Sequence, residues 1–555
     1  MSDRDWTSDR STTSRASAAP TLVLDGLTVR NGEQELVRKV SLEIAPGERV
    51  GVIGESGSGK SLTALAALGL LDEGLRADGD VRLDGVSANL LEHREAELAR
   101  LRGRRLGMVF QEPLTALNPV QRIGDQIAEV FRIHRTRPDR NAARRAAIEL
   151  LDKVRLPDPE AAARAYPHQL SGGQRQRVVI AIAIANQPDV LICDEPTSAL
   201  DVTVQAQILD LVRATTTETG AALWFITHDL PVVAELCDRV LVMQDGEVVE
   251  TGRVPEVFWR PRHPYTRALV EASRLGDPGA TVAPEAPKVE ERVIEVSALR
   301  RTYTRTRTSL LGRPPSVEAL VDVDLSVRAG QRFGIVGESG SGKSTLVRLI
   351  AGLDHSTGGS VAVNGHDLTG LPERKLRFLR EDLQMVFQDP TGSLDPRMRV
   401  RDIIAEPLVS LGHPVAGRVE QLLEAVGLPA QAAERFPHQF SGGQRQRISI
   451  ARALAPNPKV LVADEPVSAL DAPIRAQILK LLDSLVRTYD LTLVFVSHDL
   501  AVVRHVCDTV AVLHQGRVVE FGPTERVYND PQDPYTQRLL AAIPRLPPEP
   551  ETEER

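Results

Sequence analysis

Two tandem α/β domains, each built on a mostly parallel sheet, are what the sequence predicts, and three observations predict it. The chain repeats itself. Its short apolar runs have the length of buried strands. Each of those runs ends in polar residues able to do chemistry.

The duplication is literal. GESGSGKS occurs at Gly54–Ser61 and again at Gly337–Ser344, and SGGQRQR at Ser171–Arg177 and Ser441–Arg447. Asp194 recurs as Asp464 and His228 as His498, both with the offset of the SGGQ pair (464 − 194 = 270). The lysines lie further apart (343 − 60 = 283), so the second copy is shorter between its glycine-rich loop and its SGGQ segment. Self-similarity at this scale marks repeated units. One domain is expected over 21–273 and a second over 293–544. A Pro/Ala/Glu-rich linker is expected over 274–292, and disordered tails over 1–20 and 545–555, where apolar residues are too few to build a core.

The apolar runs supply the fold class. Val50–Ile53 precedes the first glycine-rich loop, Val190–Cys193 precedes Asp194, and Leu223–Ile226 precedes Thr227-His228. Runs this short, separated by helical stretches, fit parallel strands buried on both faces, with ligands at their C-terminal ends. The segment Ile123–Val154, rich in Ala, Leu, Arg and Glu, predicts a helical subdomain in each copy.

Composition narrows the function. The 555 residues carry a formal charge of −8, so no global basic field invites nucleic acid. Three separated cysteines, Cys193, Cys237 and Cys507, form neither a disulfide framework nor a metal-site pattern, which suits a reducing compartment. No stretch reaches the roughly 20 apolar residues of a membrane span, and the first 20 residues lack the apolar core of a signal peptide.

The strongest motif is GxxxxGK[ST]. Small residues let backbone N–H groups curl around phosphate oxygens at a helix N-terminus. In the first copy the cradle is Gly54, Glu55, Ser56, Gly57, Ser58, Gly59, Lys60 and Ser61. In the second it is Gly337, Glu338, Ser339, Gly340, Ser341, Gly342, Lys343, Ser344 and Thr345. The lysines are expected on the β- and γ-phosphates, and the hydroxyls of Ser61 and Ser344 on Mg²⁺. Asp194 and Asp464 suit Mg²⁺, while the adjacent Glu195 and Glu465 can polarise an attacking water. An acidic pair after a strand is by itself an ordinary helix cap; PTSALD and PVSALD immediately downstream change that reading.

Taken in order, the P-loop, the glutamine of VFQ[ED]P, SGGQ, DEP-x-SALD and [TS]HDL resemble the ABC ATPase family over essentially all of both domains. That resemblance implies Q-loop roles for Gln111 and Gln388, which would touch Mg²⁺ and sense a transmembrane partner. It makes Ser171, Gly172, Gly173 and Gln174 one signature segment and Ser441, Gly442, Gly443 and Gln444 the other. It places Asp201 and Asp471 in D-loops and makes His228 and His498 switch histidines at the γ-phosphate. It further implies head-to-tail halves, each ATP lying between one P-loop and the other half's signature. Glu195, Glu465, His228 and His498 are all present, so both catalytic sets are complete.

Finer segments resemble the oligopeptide, dipeptide, nickel and glutathione importer ATPases. Copy one carries GKSLTALAALGLL and FQEPLTALNPV; copy two carries FQDPTGSLDPR and IAEPL; both carry tails of the HPYT/DPYT type, at His263–Thr266 and Asp533–Thr536. The implied partners are two transmembrane permease subunits and an extracytoplasmic solute-binding protein, with the chain peripheral at the cytoplasmic face and no nucleic acid bound. The iron–sulfur cysteine cluster of some members is absent, so no such centre is expected, and Cys237 and Cys507 read as small core residues. The family's adenine-stacking aromatic is matched by Tyr303 in copy two, whereas copy one offers Arg30 or Asn31. The rival class, a soluble twin ATPase acting on ribosomes, normally has a long charged helical linker and NHLD where this chain has SALD.

Overall fold

The computed structural model describes residues 19–198, 200–274, 290–304, 316–468 and 470–546. In each half a six-stranded sheet forms the centre. In the first, the spatial order is Leu106–Val109, Val190–Asp194, Ala222–Ile226, Arg49–Ile53, Arg239–Gln244 and Glu247–Arg253. All neighbours pair in parallel except the last, antiparallel pair. The second half repeats this order with Leu383–Val386, Val460–Asp464, Thr492–Val496, Arg332–Val336, Thr509–His514 and Arg517–Pro523.

These strands are apolar without alternation because each lies between two cores. Ala222, Trp224 and Ile226 face one cluster, Leu223 and Phe225 the other. Val190 and Ile192 divide from Leu191 and Cys193 in the same way. Side chains on a strand alternate faces, so a strand covered on both sides needs apolar residues at every position. One core lies under a separate antiparallel sheet of Gln34–Ile44, Leu22–Asn31 and Leu75–Leu83, together with the helix Lys60–Ala67. The other is covered by the helical subdomain, whose helices Ile123–Ile133 and Arg140–Lys153 bury Ile127, Phe131, Ala143, Ala147 and Leu151. Asp139 starts the second of these by accepting the N–H of Ala142.

Cys193, Cys237 and Cys507 are free and buried, as expected of core residues. No described helix is long and apolar enough to cross a membrane. Most of the expected tails and linker lies outside the described residues. Two edges differ from expectation. The strand Arg292–Thr304 already starts at the last linker position. Leu546, placed in the C-terminal tail, packs on the core of the first half, because an apolar side chain beside an apolar surface gains by leaving water.

Candidate nucleotide-binding site

Each glycine-rich loop leaves the C-terminal end of a central strand and enters a helix, Lys60–Ala67 or Lys343–Ile350. Gly54 has φ +153°, and a Cβ there would lie 2.2 Å from the Met243 carbonyl oxygen, so only glycine fits. The lysines are buried and curl back over their own loops. Lys60 Nζ donates to the carbonyls of Gly54 and Glu55, both at 2.8 Å; Lys343 Nζ does the same to Gly337 at 2.7 Å and Glu338 at 2.9 Å. Burial lowers the pKa of both lysines against the pull of the nearby carboxylates.

Asp194 ends the strand Val190–Asp194 and accepts the Ser61 hydroxyl at 2.9 Å. Ser344, at the same point of the second loop, is exposed. Burial raises Asp194 and Asp464 to about 6. Hydroxyl, carboxylate and amide oxygens are the hard donors that Mg²⁺ takes, so Ser61, Asp194 and Gln111, with Ser344, Asp464 and Gln388, fit that ion.

The raised carboxylates predict a stability signature. A buried aspartate whose folded pKa exceeds its unfolded value, 3.8, costs stability as pH rises from about 4 through about 6, and the cost persists above that. Asp194→Asn with Asp464→Asn is therefore expected to raise the melting temperature of the nucleotide-free protein at pH 8 and to leave it unchanged near pH 4. The gain is on the order of 2–3 kcal/mol per site. Differential scanning calorimetry at both pH values checks this; equal shifts at the two would refute it.

Glu195 and Glu465 stand next to these aspartates at φ 44° and 47°, a left-handed conformation that is uncommon for glutamate. The Glu195 N–H is tied to the Ile226 carbonyl at 2.9 Å, which helps hold the residue there. Its carboxylate meets His228 Nδ1 at 3.2 Å and accepts Gln111 Nε2 at 2.9 Å. Glu465 meets His498 Nδ1 at 3.1 Å and Gln388 Nε2 at 2.9 Å. Burial opposes ionisation of Glu195, but His228, Lys60 and Gln111 together hold its carboxyl below the usual range; His498 and Lys343 do the same for Glu465. The histidines are pulled upward in turn, since the glutamates outweigh burial. Each half thus brings together an ionised carboxylate, an imidazole and a glutamine amide beside the P-loop.

Ser171 and Ser441 cap the helices Gly172–Ile184 and Gly442–Leu454. Each hydroxyl accepts the N–H of the glutamine three residues on, Gln174 or Gln444, at 3.3 Å, and the glutamine side chain answers the serine N–H. This capping box leaves glycine N–H groups at a positive helix end.

The two halves meet at these motifs. Asp471 of the second half accepts both the N–H and the hydroxyl of Ser56, in the first P-loop, at 3.0 Å. In the reciprocal contact, the Thr203 hydroxyl lies 2.6 Å from a Glu338 oxygen in the second P-loop and 2.9 Å from Asp201. Asp201 itself turns inward to cap the helix Val202–Thr219 through the Val204 N–H. Between the halves lies a cavity of about 1010 Å³, lined by Ser56, Glu195 and His228 from one side and by Ser339, Glu465 and His498 from the other.

The ABC transporter family model matches residues 37–198 and 320–468, and the model for the oligopeptide/dipeptide transporter C-terminal region matches 249–299 and 519–555. The chain belongs to the ABC transporter ATP-binding family. It is 46% identical over 541 residues to the glutathione import ATP-binding protein GsiA of Escherichia coli (strain K12), covering 92% of this chain and 86% of that protein. It is 45% identical over 587 residues to the oligopeptide transport ATP-binding protein OppD of Mycobacterium tuberculosis (strain ATCC 25618 / H37Rv), covering 92% and 96%. The dimeric structure of the bacterial ABC transporter cassette MJ0796 is 31% identical, covers 42% of this chain and 98% of its own, and has a TM-score of 0.38. Membership of that family makes the protein an ATP-binding protein and an ATPase.

The two ABC halves differ where adenine is expected. Tyr303 donates its hydroxyl to Asp354 at 2.6 Å, and the Arg301 guanidinium lies 4.4 Å from its ring centre while also pairing with Asp354 at 2.8 Å. This triad props the ring at the surface. Leu22 pairs with Ile44 as Ile294 pairs with Val327, each ten residues before its P-loop glycine, so Tyr303 corresponds to Asn31. The neighbouring Arg30 is engaged by Glu35 and Asp78, both at 2.8 Å. ATP is expected to bind more weakly at the Lys60 site. Loss of one base–aromatic stack, about 1–3 kcal/mol, corresponds to roughly five- to hundredfold. Titration should show two affinities; Asn31→Tyr should tighten the weaker and Tyr303→Ala loosen the stronger. Equal affinities unmoved by either change would mean that adenine is held otherwise.

Sequence reasoning missed four residues at this ABC site. Thr203 carries no motif. Arg475 pairs with Asp499 at 3.1 Å, and its charge reaches Asp229 of the other half, where it opposes the burial that pushes that carboxyl up. Tyr265 and Tyr535 belong to the matching HPYT/DPYT tails, a repetition that could have drawn attention to them.

Proposed function

We propose that the chain powers the import of peptides or a related small solute through two separate permease subunits supplied by an extracytoplasmic binding protein. The observation that carries this reading is the C-terminal region. The oligopeptide/dipeptide transporter model matches it once in each half, alongside two complete sets of catalytic candidates. The relatives, a glutathione import and an oligopeptide transport ATP-binding protein, point the same way. The chain would sit at the cytoplasmic face of the membrane, held there by its permeases.

Within that reading, Gly54–Ser61 and Gly337–Thr345 cradle the ATP phosphates. Lys60 and Lys343 swing from their loop carbonyls to the β- and γ-phosphates, and Tyr303 stacks on adenine at the second site. Ser61, Asp194 and Gln111, with Ser344, Asp464 and Gln388, hold Mg²⁺, which when bound neutralises phosphate charge. Glu195 and Glu465 orient and deprotonate the attacking water, while His228 and His498 meet the γ-phosphate. Ser171–Gln174 and Ser441–Gln444 close over the nucleotide of the opposite half, with Asp201 and Asp471 beside it. Closure driven by ATP and released by hydrolysis is the two-state element that a transporter needs.

Affinity purification of the full chain from its native membrane tests the partners. Two polytopic permeases are expected, together with peptide-stimulated ATP hydrolysis once the complex and its binding protein are reconstituted in vesicles. Co-purification with ribosomes in place of permeases would overturn the reading.

A further inference from the structure

Two tyrosines hold the P-loops from behind. Tyr265 Oη accepts the Glu55 N–H at 2.9 Å, and Tyr535 Oη accepts the Glu338 N–H at 3.0 Å. Burial raises both hydroxyls to about 12, so each stays protonated and neutral at physiological pH. They sit in the first turns of the helices Pro264–Ser273 and Pro534–Ala541. Glu250 anchors the entry to the first helix by accepting the N–H groups of Arg262 and His263 at 2.9 and 3.0 Å, and Glu520 anchors the second through Gln532 and Asp533 at 2.9 and 3.2 Å.

The same helices reach the other half. Pro264–Ser273 packs on Ala472–Thr488, and Pro534–Ala541 packs on Val202–Thr219. Ala472–Thr488 begins directly after Asp471, and Asp471 accepts the Ser56 N–H. Two adjacent P-loop amides, Glu55 and Ser56, are therefore held by the two ends of one closed circuit. The circuit runs from the P-loop through Tyr265 and its helix to the far half's helix, and back through Asp471. Tyr535 stands in a related circuit, which closes through the Thr203 hydroxyl on the Glu338 side-chain carboxylate instead of on a backbone amide.

We propose that Tyr265 and Tyr535 are positioning residues that tie the shape of each P-loop to docking of the opposite half, so that the loop reaches its hydrolytic geometry only when the halves are closed. This rests on the reading of both P-loops as ATP sites. The duplication of the arrangement, with the same hydroxyl on the same amide in both halves, argues against a chance contact.

Steady-state hydrolysis by the full chain tests it with Tyr265→Phe plus Tyr535→Phe, which removes two oxygen atoms and keeps both rings. Losing hydrogen bonds of ordinary strength should lower kcat about 3- to 10-fold while KM moves less than about twofold, because open-state binding is untouched. The melting temperature should stay within a few degrees. In an Asp471→Ala background, Tyr265→Phe alone should cost little more, since the circuit is already open. Hydrogen exchange gives a readout independent of turnover: Asp471→Ala should speed exchange at the Glu55 amide as well as at Ser56. A rise in KM at constant kcat, additive losses, or an undisturbed Glu55 amide would each overturn the coupling. A wild-type chain without ATPase activity would instead overturn the ATP-site reading beneath it.

Discussion

Glu195→Gln combined with Glu465→Gln is expected to abolish turnover while leaving ATP binding intact. Each glutamate is ionised, held at positive φ and in contact with His228 or His498 and with Gln111 or Gln388. Glutamine keeps the shape and the hydrogen-bonding span but cannot accept the proton that leaves the water. Removing a positioned general base costs roughly 10²–10⁴ in rate. The carboxylates that repel a nucleotide are also fewer, so binding should hold or tighten. Single-turnover hydrolysis and equilibrium binding of labelled ATP check both halves of the statement. Near-normal hydrolysis by the double variant would remove these residues from the chemistry. The single variants should each retain part of the activity if the two sites fire independently, and almost none if closure commits both.

Ser441→Arg is expected to damage the site built on Lys60 and to spare the one on Lys343. The motivation is the crossed contact of the P-loops and D-loops, with Ser56 on Asp471 and Thr203 on Glu338. If the halves exchange their D-loops, the signature helix behind each is presented to the same foreign P-loop. Arginine at the N-terminus of Gly442–Leu454 removes the hydroxyl that caps Gln444 and fills the space that a γ-phosphate would take. Loss of charge-assisted hydrogen bonds to phosphate corresponds to about ten- to a hundredfold in affinity. Photolabelling with an azido-ATP analogue, followed by mapping the labelled peptides, reads the two sites separately. Ser171→Arg should give the mirror image. Loss of label confined to the half that carries the substitution would contradict the crossed arrangement.

Much was determined by the sequence alone, because the relevant physics is local. A glycine-rich turn with GKS can be read from spacing, since it needs small residues at set intervals and a helix start directly after. Val190–Cys193 and Leu223–Ile226 announce parallel strands because burial on two faces forbids polar residues, whatever the strand order. The contrast between Tyr303 and the Arg30-Asn31 pair was likewise visible, and strand register then made Asn31 the counterpart.

Other features were decided only by the tertiary structure, because they join residues far apart in the chain. That Asp471 lands on Ser56, that Thr203 substitutes for Asp201 in the reciprocal contact, and that Tyr265 braces the Glu55 amide each depend on how two helices and a loop approach in space. No periodicity encodes such an approach. The same holds for the pKa of Asp194, which desolvation by the surrounding fold raises, and for that of Glu195, which His228, Lys60 and Gln111 lower against its burial. Sequence names the groups that can carry charge; packing sets the distances and the exclusion of water that give those charges their strength.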